Sequence, residues 1–330
     1  MLKAVGFYKG SQLQDVSVEK PKATGRNLVV SVQAVSVNPV DTKQFKAGTE
    51  DEKHPRILGY DASGIVEEVG EEVTLFMPGD HVYYAGDVTK AGTNSEYHLV
   101  DERIVGQKPA SLSFGEAAAM PLTTITAYEG LFDRLNVSKD VEDNKGKQLL
   151  IVGSAGGVGS VAIQLAKKVG LNVIATASRT KTSEWVKHLG ADVVINHQQP
   201  LDEQLKKHDI EYVFCCTHLT THWDAICEVV APEGRIVSIV SEEKVDLNKL
   251  KTKSVTFSYE FMFTRAMYET ESMIKQHHLL NEVSKFIDQG EIQHTMTEVH
   301  SPLTAQTVAK AHEKLQSQSM IGKLVIEMKN

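Results

Sequence analysis

Short apolar runs broken by glycine turns fill the first third of the chain, and apolar strands alternating with helix-period segments fill the middle. Residues 28–35, Leu-Val-Val-Ser-Val-Gln-Ala-Val, are dense in β-formers and predict a strand. Residues 62–69 and 81–84 predict further short strands, punctuated by Gly59, Gly64, Gly70, Gly79 and Gly86. The region up to about residue 123 is therefore expected to be β-rich, a barrel or a strongly bent sheet. From Gln148 the texture changes. Residues 149–152 are wholly apolar, as a parallel strand buried on both faces requires. Residues 161–168 and 182–189 read as helices, and 172–177, 192–195, 211–216 and 235–239 as strands. This alternation predicts an α/β fold with a doubly wound parallel sheet. A strand-like segment at 254–261, a helical stretch over about 266–288 and a strand at 321–327 follow. The last strand does not continue the α/β rhythm and is assigned to the β-rich domain. The expected division is 1–125 with 267–330, and a nucleotide-binding domain over 126–266.

The strongest chemical signal is Gly153-Ser154-Ala155-Gly156-Gly157-Val158-Gly159, directly after a buried strand and directly before a helix. Gly156 and Gly157 lack a Cβ, so their backbone can approach a pyrophosphate, and Gly159 permits close packing of helix on strand. The free N–H groups and dipole of the first helical turn favour an anion there. Enzymes that use NAD carry Asp or Glu roughly 20 residues past the last glycine. Here that position is Arg179, within Ser178-Arg179-Thr180-Lys181. A guanidinium flanked by hydroxyls suits a 2′-phosphate, so the expected cofactor is NADPH.

Charge and cysteine content narrow the picture. Lys and Arg number 35 against 43 Asp and Glu, a net charge of −8. That balance argues against a nucleic-acid partner, which needs clustered cations. The three cysteines, Cys215, Cys216 and Cys227, are too few for a disulfide framework or a four-Cys zinc site. No apolar run approaches the ~18 residues of a spanning helix, and the first residues lack the core of a signal peptide. The expectation is a cytoplasmic protein with no membrane partner.

Further motifs join the glycine turn in order: Val37-Asn-Pro-Val-Asp41, Gly59-Tyr-Asp-Ala-Ser-Gly-Ile-Val-Glu-Glu-Val-Gly70, Pro78-Gly-Asp-His-Val82, Pro121-Leu-Thr-Thr-Ile-Thr-Ala127, Gln164-Leu-Ala-Lys167 and Leu189-Gly-Ala-Asp192. Over essentially its whole length the chain resembles the medium-chain dehydrogenase/reductase superfamily, and within it the quinone oxidoreductases and the zinc-type alcohol dehydrogenase-like group. The resemblance implies a GroES-like catalytic domain, a Rossmann domain and a homodimer. It also implies a cofactor contact at Thr126; Lys323 of the terminal Gly-Lys is a candidate for the pyrophosphate, with a solvated lysine as the alternative. Zinc members of the family keep Cys and His ligands where this chain has Asn38 and Tyr60. An amide and a phenol are poor zinc ligands, so no metal is expected.

Without a metal, hydride transfer to an electron-poor alkene or quinone is easier than reduction of a simple ketone, because the developing charge is delocalised. The chain is therefore expected to reduce a small-molecule quinone or α,β-unsaturated carbonyl with NADPH. Tyr60 is the candidate proton donor, and Asn38 and Asp41 belong to the family's active-site loop. Two other readings compete: a zinc alcohol dehydrogenase with unusual ligands, and a non-catalytic NADPH-binding protein.

Overall fold

In the computed structural model of the protein, residues 1–205, 209–241 and 244–329 are described. The chain divides into one unit of residues 1–125 with 263–330 and a second of 126–262. In the first unit a seven-stranded sheet runs Met296–His300, Lys323–Glu327, Asn27–Ser36, Ala62–Val69, His81–Tyr84, Val105–Gln107, with Tyr97–Asp101 also paired to Asn27–Ser36. A smaller sheet joins Gln14–Val18, Leu2–Phe7 and Arg56–Ile57. Alternate residues of the long strand face a core of Val30, Val32, Val66, Val82, Leu324 and Ile326. Each such side chain contributes about 1.5–3 kcal/mol on full burial. The strand Lys323–Glu327 pairs antiparallel with Asn27–Ser36, Val325 opposite Ser36, so the end of the chain lies inside the first unit's sheet. That pairing also sets Lys323 beside the loop that follows Ser36.

The second unit is a six-stranded, wholly parallel sheet in the order Val193–Ile195, Asn172–Thr176, Gln148–Val152, Ile210–Cys215, Val230–Ser238, Thr256–Tyr259. Its core gathers Leu150, Val152, Ile174, Val213, Trp223 and Ile226. Such near-continuous apolar strands are what burial on both faces selects. The strand-like segment at 254–261 is the sixth strand of this sheet. The stretch 266–288 is not one helix. Glu269, at φ 45, ends the short helix Thr264–Met267, and a 3-10 turn leads into Lys275–Asp288. A non-glycine residue in the left-handed region cannot continue a right-handed helix. Among the described residues no helix is long and apolar enough to cross a membrane.

Candidate functional site

The glycine turn belongs to the second unit. Strand Gln148–Val152 ends at Gly153, and helix Gly157–Lys168 starts after Gly156, which caps it without a side chain. Ser154 is buried and holds the turn in place. Its hydroxyl donates to the Ile151 carbonyl at 2.6 Å and accepts the Thr176 N–H at 2.8 Å. A Cβ on Gly159 would lie 2.5 Å from the Ser154 carbonyl oxygen, so only glycine fits there. A Cβ on Gly156, by contrast, would meet only the Gly153 carbonyl oxygen, at 3.7 Å. The turn is thus tight beneath and open above, with first-turn N–H groups that have no intrahelical acceptor. Ala155 and Val158 carry the only side chains beyond Ser154 in this stretch, and Gly157 opens the helix. The arrangement fits the diphosphate of a dinucleotide.

Ser178, Arg179, Thr180 and Lys181 follow strand Asn172–Thr176, with Ser178 half-buried and the other three exposed. The Arg179 N–H donates to Thr182 Oγ1 at 3.1 Å, which starts helix Thr180–His188 and turns the segment at the carboxyl end of the sheet. Arg179 thus supplies a cation at that edge. Thr126 is buried on helix Pro121–Tyr128.

In the first unit, Asn38, Asp41, Asp61 and Lys323 form a buried polar cluster. Helix Pro39–Ala47 starts at Asn38, and Asp41 at its third position accepts the Asn38 N–H at 2.7 Å. The other Asp41 oxygen accepts the Gly59 N–H at 3.0 Å. Gly59 takes φ +108, and a Cβ there would lie 2.6 Å from Thr93 Oγ1. Asp41 therefore ties the helix start to the turn that presents Tyr60 and Asp61. Asp61 is the hub. One oxygen accepts the Leu122 N–H at 2.7 Å, and the other accepts the Asn38 amide at 2.7 Å and the Lys323 ammonium at 3.0 Å. Lys323 also donates to Asn38 Oδ1 at 2.5 Å and to the Val37 carbonyl at 2.9 Å. Burial raises the carboxyl pKa of both acids, and holds Asp41 at about 7.

These contacts correct one expectation and sharpen others. Lys323 does not extend toward a pyrophosphate. It is buried, and its three N–H donors are matched by three acceptors within the first unit. Asn38 and Asp41 spend their hydrogen bonds inside the cluster, so they position the loop. Tyr60 packs edge-on against Phe263, with ring centroids 5.4 Å apart, and its hydroxyl bonds the Arg56 side chain. Burial, followed by the charge of Asp41, pushes its pKa up to about 12, so it carries its proton at neutral pH. Asp61 was legible only as the residue after Tyr60, and nothing local marks it as the hub. Arg56 carried no signal at all.

Zinc can be tested against this donor set. Where zinc members keep thiolate and imidazole, the chain presents an amide already bonded at both ends and a phenol, with an ammonium 2.5 Å from the amide oxygen. Zinc wants thiolate, imidazole or carboxylate, and a fixed cation there repels a second. The residues do not fit the metal. Among the described residues no group of three or more His, Cys, Asp or Glu side chains could hold a metal ion.

Comparison with known proteins agrees with the fold of both units. Residues 25–125 match the alcohol dehydrogenase GroES-like domain, and residues 189–326 match the zinc-binding dehydrogenase family. A zinc-type alcohol dehydrogenase-like protein from Staphylococcus epidermidis is 44% identical over 99% of this chain and 100% of its own length. The chloroplastic NADPH-dependent alkenal/one oxidoreductase of Arabidopsis thaliana is 30% identical, covering 93% of this chain and 73% of its own. The structure of Escherichia coli quinone oxidoreductase complexed with NADPH is 26% identical, covers 98% of this chain and 99% of its own, and superposes with a TM-score of 0.80. With a GroES-like domain, a parallel-sheet nucleotide fold and a relative matched from end to end, the chain belongs to the medium-chain dehydrogenase/reductase superfamily of oxidoreductases.

Proposed function

We propose that this chain uses NADPH to reduce quinones or α,β-unsaturated carbonyls without a catalytic metal. The observation that carries the reading is the Lys323 ammonium, bonded to Asn38 and Asp61 where zinc members of the family keep ligands. Lacking a Lewis acid there, the chain is suited to substrates whose conjugation spreads the developing negative charge onto a distant oxygen. When bound, NADPH supplies the hydride. Arg179 at the edge of the sheet supports the phosphorylated cofactor over NADH. The printed names of the E. coli and Arabidopsis relatives, a quinone oxidoreductase with NADPH and an NADPH-dependent alkenal/one oxidoreductase, point the same way. Tyr60 keeps its proton at neutral pH, and a proton on the reduced substrate is the step it would serve.

The experiment is steady-state oxidation of NADPH and NADH with a panel of quinones, enones and simple ketones, on protein whose metal content has been measured. Expected is turnover of quinones or enones with NADPH by protein that holds no stoichiometric zinc. Zinc at one per chain, with turnover abolished by its removal, overturns the metal-free reading. Tight NADPH binding with no turnover on any substrate favours a binding protein. In the same assay Tyr60→Phe is expected to lower kcat for enones by about 10²-fold with KM little changed. An unchanged kcat assigns Tyr60 to packing alone.

A further inference from the structure

A second set of titratable groups gathers at the carboxyl end of the parallel sheet, outside the residues assigned above. Strands Asn172–Thr176 and Val193–Ile195 are parallel neighbours, and the Ala177 N–H donates to the Ile195 carbonyl at 2.9 Å. Arg179 and His197 each lie two residues beyond that bond, so the register brings both to the same edge. On the other flank, Thr217 packs so close to Gly153 that a Cβ there would lie 2.8 Å from Thr217 Cγ2. His218 follows with its Nδ1 2.6 Å from Thr217 Oγ1, and His222 lies one turn later on helix Leu219–Val229. His197 is coupled to both flanks. The charges of Arg179 and His218 act on it, and it acts in turn on His222. Its Nδ1 is buried with no hydrogen-bond partner among the described residues. Leaving a buried polar atom unsatisfied costs about 1–3 kcal/mol, and no described residue offsets it.

We propose that His197 reads the adenosine 2′-phosphate as an imidazolium, so that NADPH binding takes up one proton from solvent at His197 and NADH binding takes up none. The proposal rests on the reading of Arg179 as the 2′-phosphate site. In the protein alone, burial first, then His218, then Arg179 hold the His197 pKa below its ordinary value, and the ring is neutral at pH 7. Among the described residues no carboxylate acts on it. A phosphate beside Arg179 reverses that balance. It offsets the guanidinium charge and favours the protonated ring, an opposite charge at short range moving a pKa by about 1–3 units. The phosphate is itself dianionic above its own second pKa of about 6. Between the lowered pKa of the free protein and the raised pKa of the complex, NADPH affinity tightens as pH falls, by at most about tenfold per pH unit.

The test is isothermal titration of the full chain with NADPH and with NADH, from about pH 6.5 to about pH 8, above the phosphate pKa. Each pH is run in two buffers of different ionisation enthalpy, which counts protons directly. Expected is NADPH binding that tightens several-fold toward the acidic end with proton uptake, and NADH binding that is flat. His197→Gln keeps the NADPH preference through Arg179 but loses the slope and the uptake. His197→Asn serves as a second variant, and thermal unfolding confirms that both fold. If NADPH is preferred and the variants keep the wild-type slope, the His197 assignment fails while the cofactor reading stands. If NADPH binds no tighter than NADH at any pH, the cofactor reading itself fails, and Arg179→Ala then leaves both affinities unchanged.

Discussion

The two units hold charge in opposite ways. In the first, charge sits on side chains and is closed on itself. Asp61, Lys323, Asn38 and Asp41 are buried, and their donors and acceptors are used within the cluster or by backbone around it. At the glycine turn of the second, the polarity comes from the backbone and is left open. The turn at Gly153–Gly159 carries no charged side chain, and its capacity for an anion lies in the first N–H groups of helix Gly157–Lys168. A closed cluster gains rigidity at the cost of intolerance, since removing any member strands a buried partner. An open turn can lose its ligand without losing its fold. The cluster therefore uses charge to shape its unit, and the turn is left to receive something.

The sharpest way to break that contrast is Lys323→Met. It leaves Asp61 buried without its cation and is expected to cost about 3–5 kcal/mol, read as a fall in urea midpoint. The loss should shrink at acidic pH, because the Asp61 carboxyl, already raised by burial, then takes up a proton. The double variant with Asp61→Asn, neutral at both positions, should recover part of the stability. A single variant as stable as the wild type would show that the cluster is not closed. A smaller effect, confined to binding, is expected for Gly156→Ala in the other unit. The new methyl has room, with Gly153 O at 3.7 Å its nearest neighbour, so the unfolding midpoint should barely move. It occupies the space a diphosphate would use, and NADPH and NADH affinity should fall together by roughly tenfold or more, the equivalent of one hydrogen bond to a charged group. Unchanged affinity would place the diphosphate elsewhere.

A further effect is expected on the pH dependence of stability. Asp41 is held at about 7 in the folded protein, above its ordinary 3.8. The folded chain thus binds this proton more tightly than the unfolded one. The stability it contributes is complete below about pH 4 and is lost as pH rises through about 7. Asp41→Asn, neutral at every pH, should flatten that part of the slope in urea titrations at pH values spanning the window. A slope identical to that of the wild type would assign the pH dependence to Asp61 and to Glu260, which burial and the neighbouring Glu129 raise to about 8.

The parts legible in the sequence are those whose cause is local. The glycine turn, its flanking strand and helix, and Arg179 lie within 31 positions, from 149 to 179, and their spacing follows from how one strand feeds one helix. The cluster of the first unit is different. Lys323 meets Val37, Asn38 and Asp61 across separations of 286, 285 and 262 residues. Gly-Lys near the end of the chain reads equally well as a phosphate contact. Only the antiparallel pairing of Lys323–Glu327 with Asn27–Ser36 turns the ammonium inward. Likewise, the helical composition of 266–288 gives no warning of the left-handed residue at Glu269.

By itself the sequence determined the two-part architecture, the parallel sheet and the glycine turn between a buried strand and a helix. Each of these follows from residue type at short spacing, where apolar periodicity and backbone sterics act directly. The tertiary structure alone decided which ionisable side chains meet: Lys323 with Asp61, and Arg134 with Glu260 at 2.7 Å. It also left the His197 Nδ1 buried with no partner among the described residues. Coulomb attraction and desolvation depend on distance and burial in the fold, and neither quantity is written in the order of the residues.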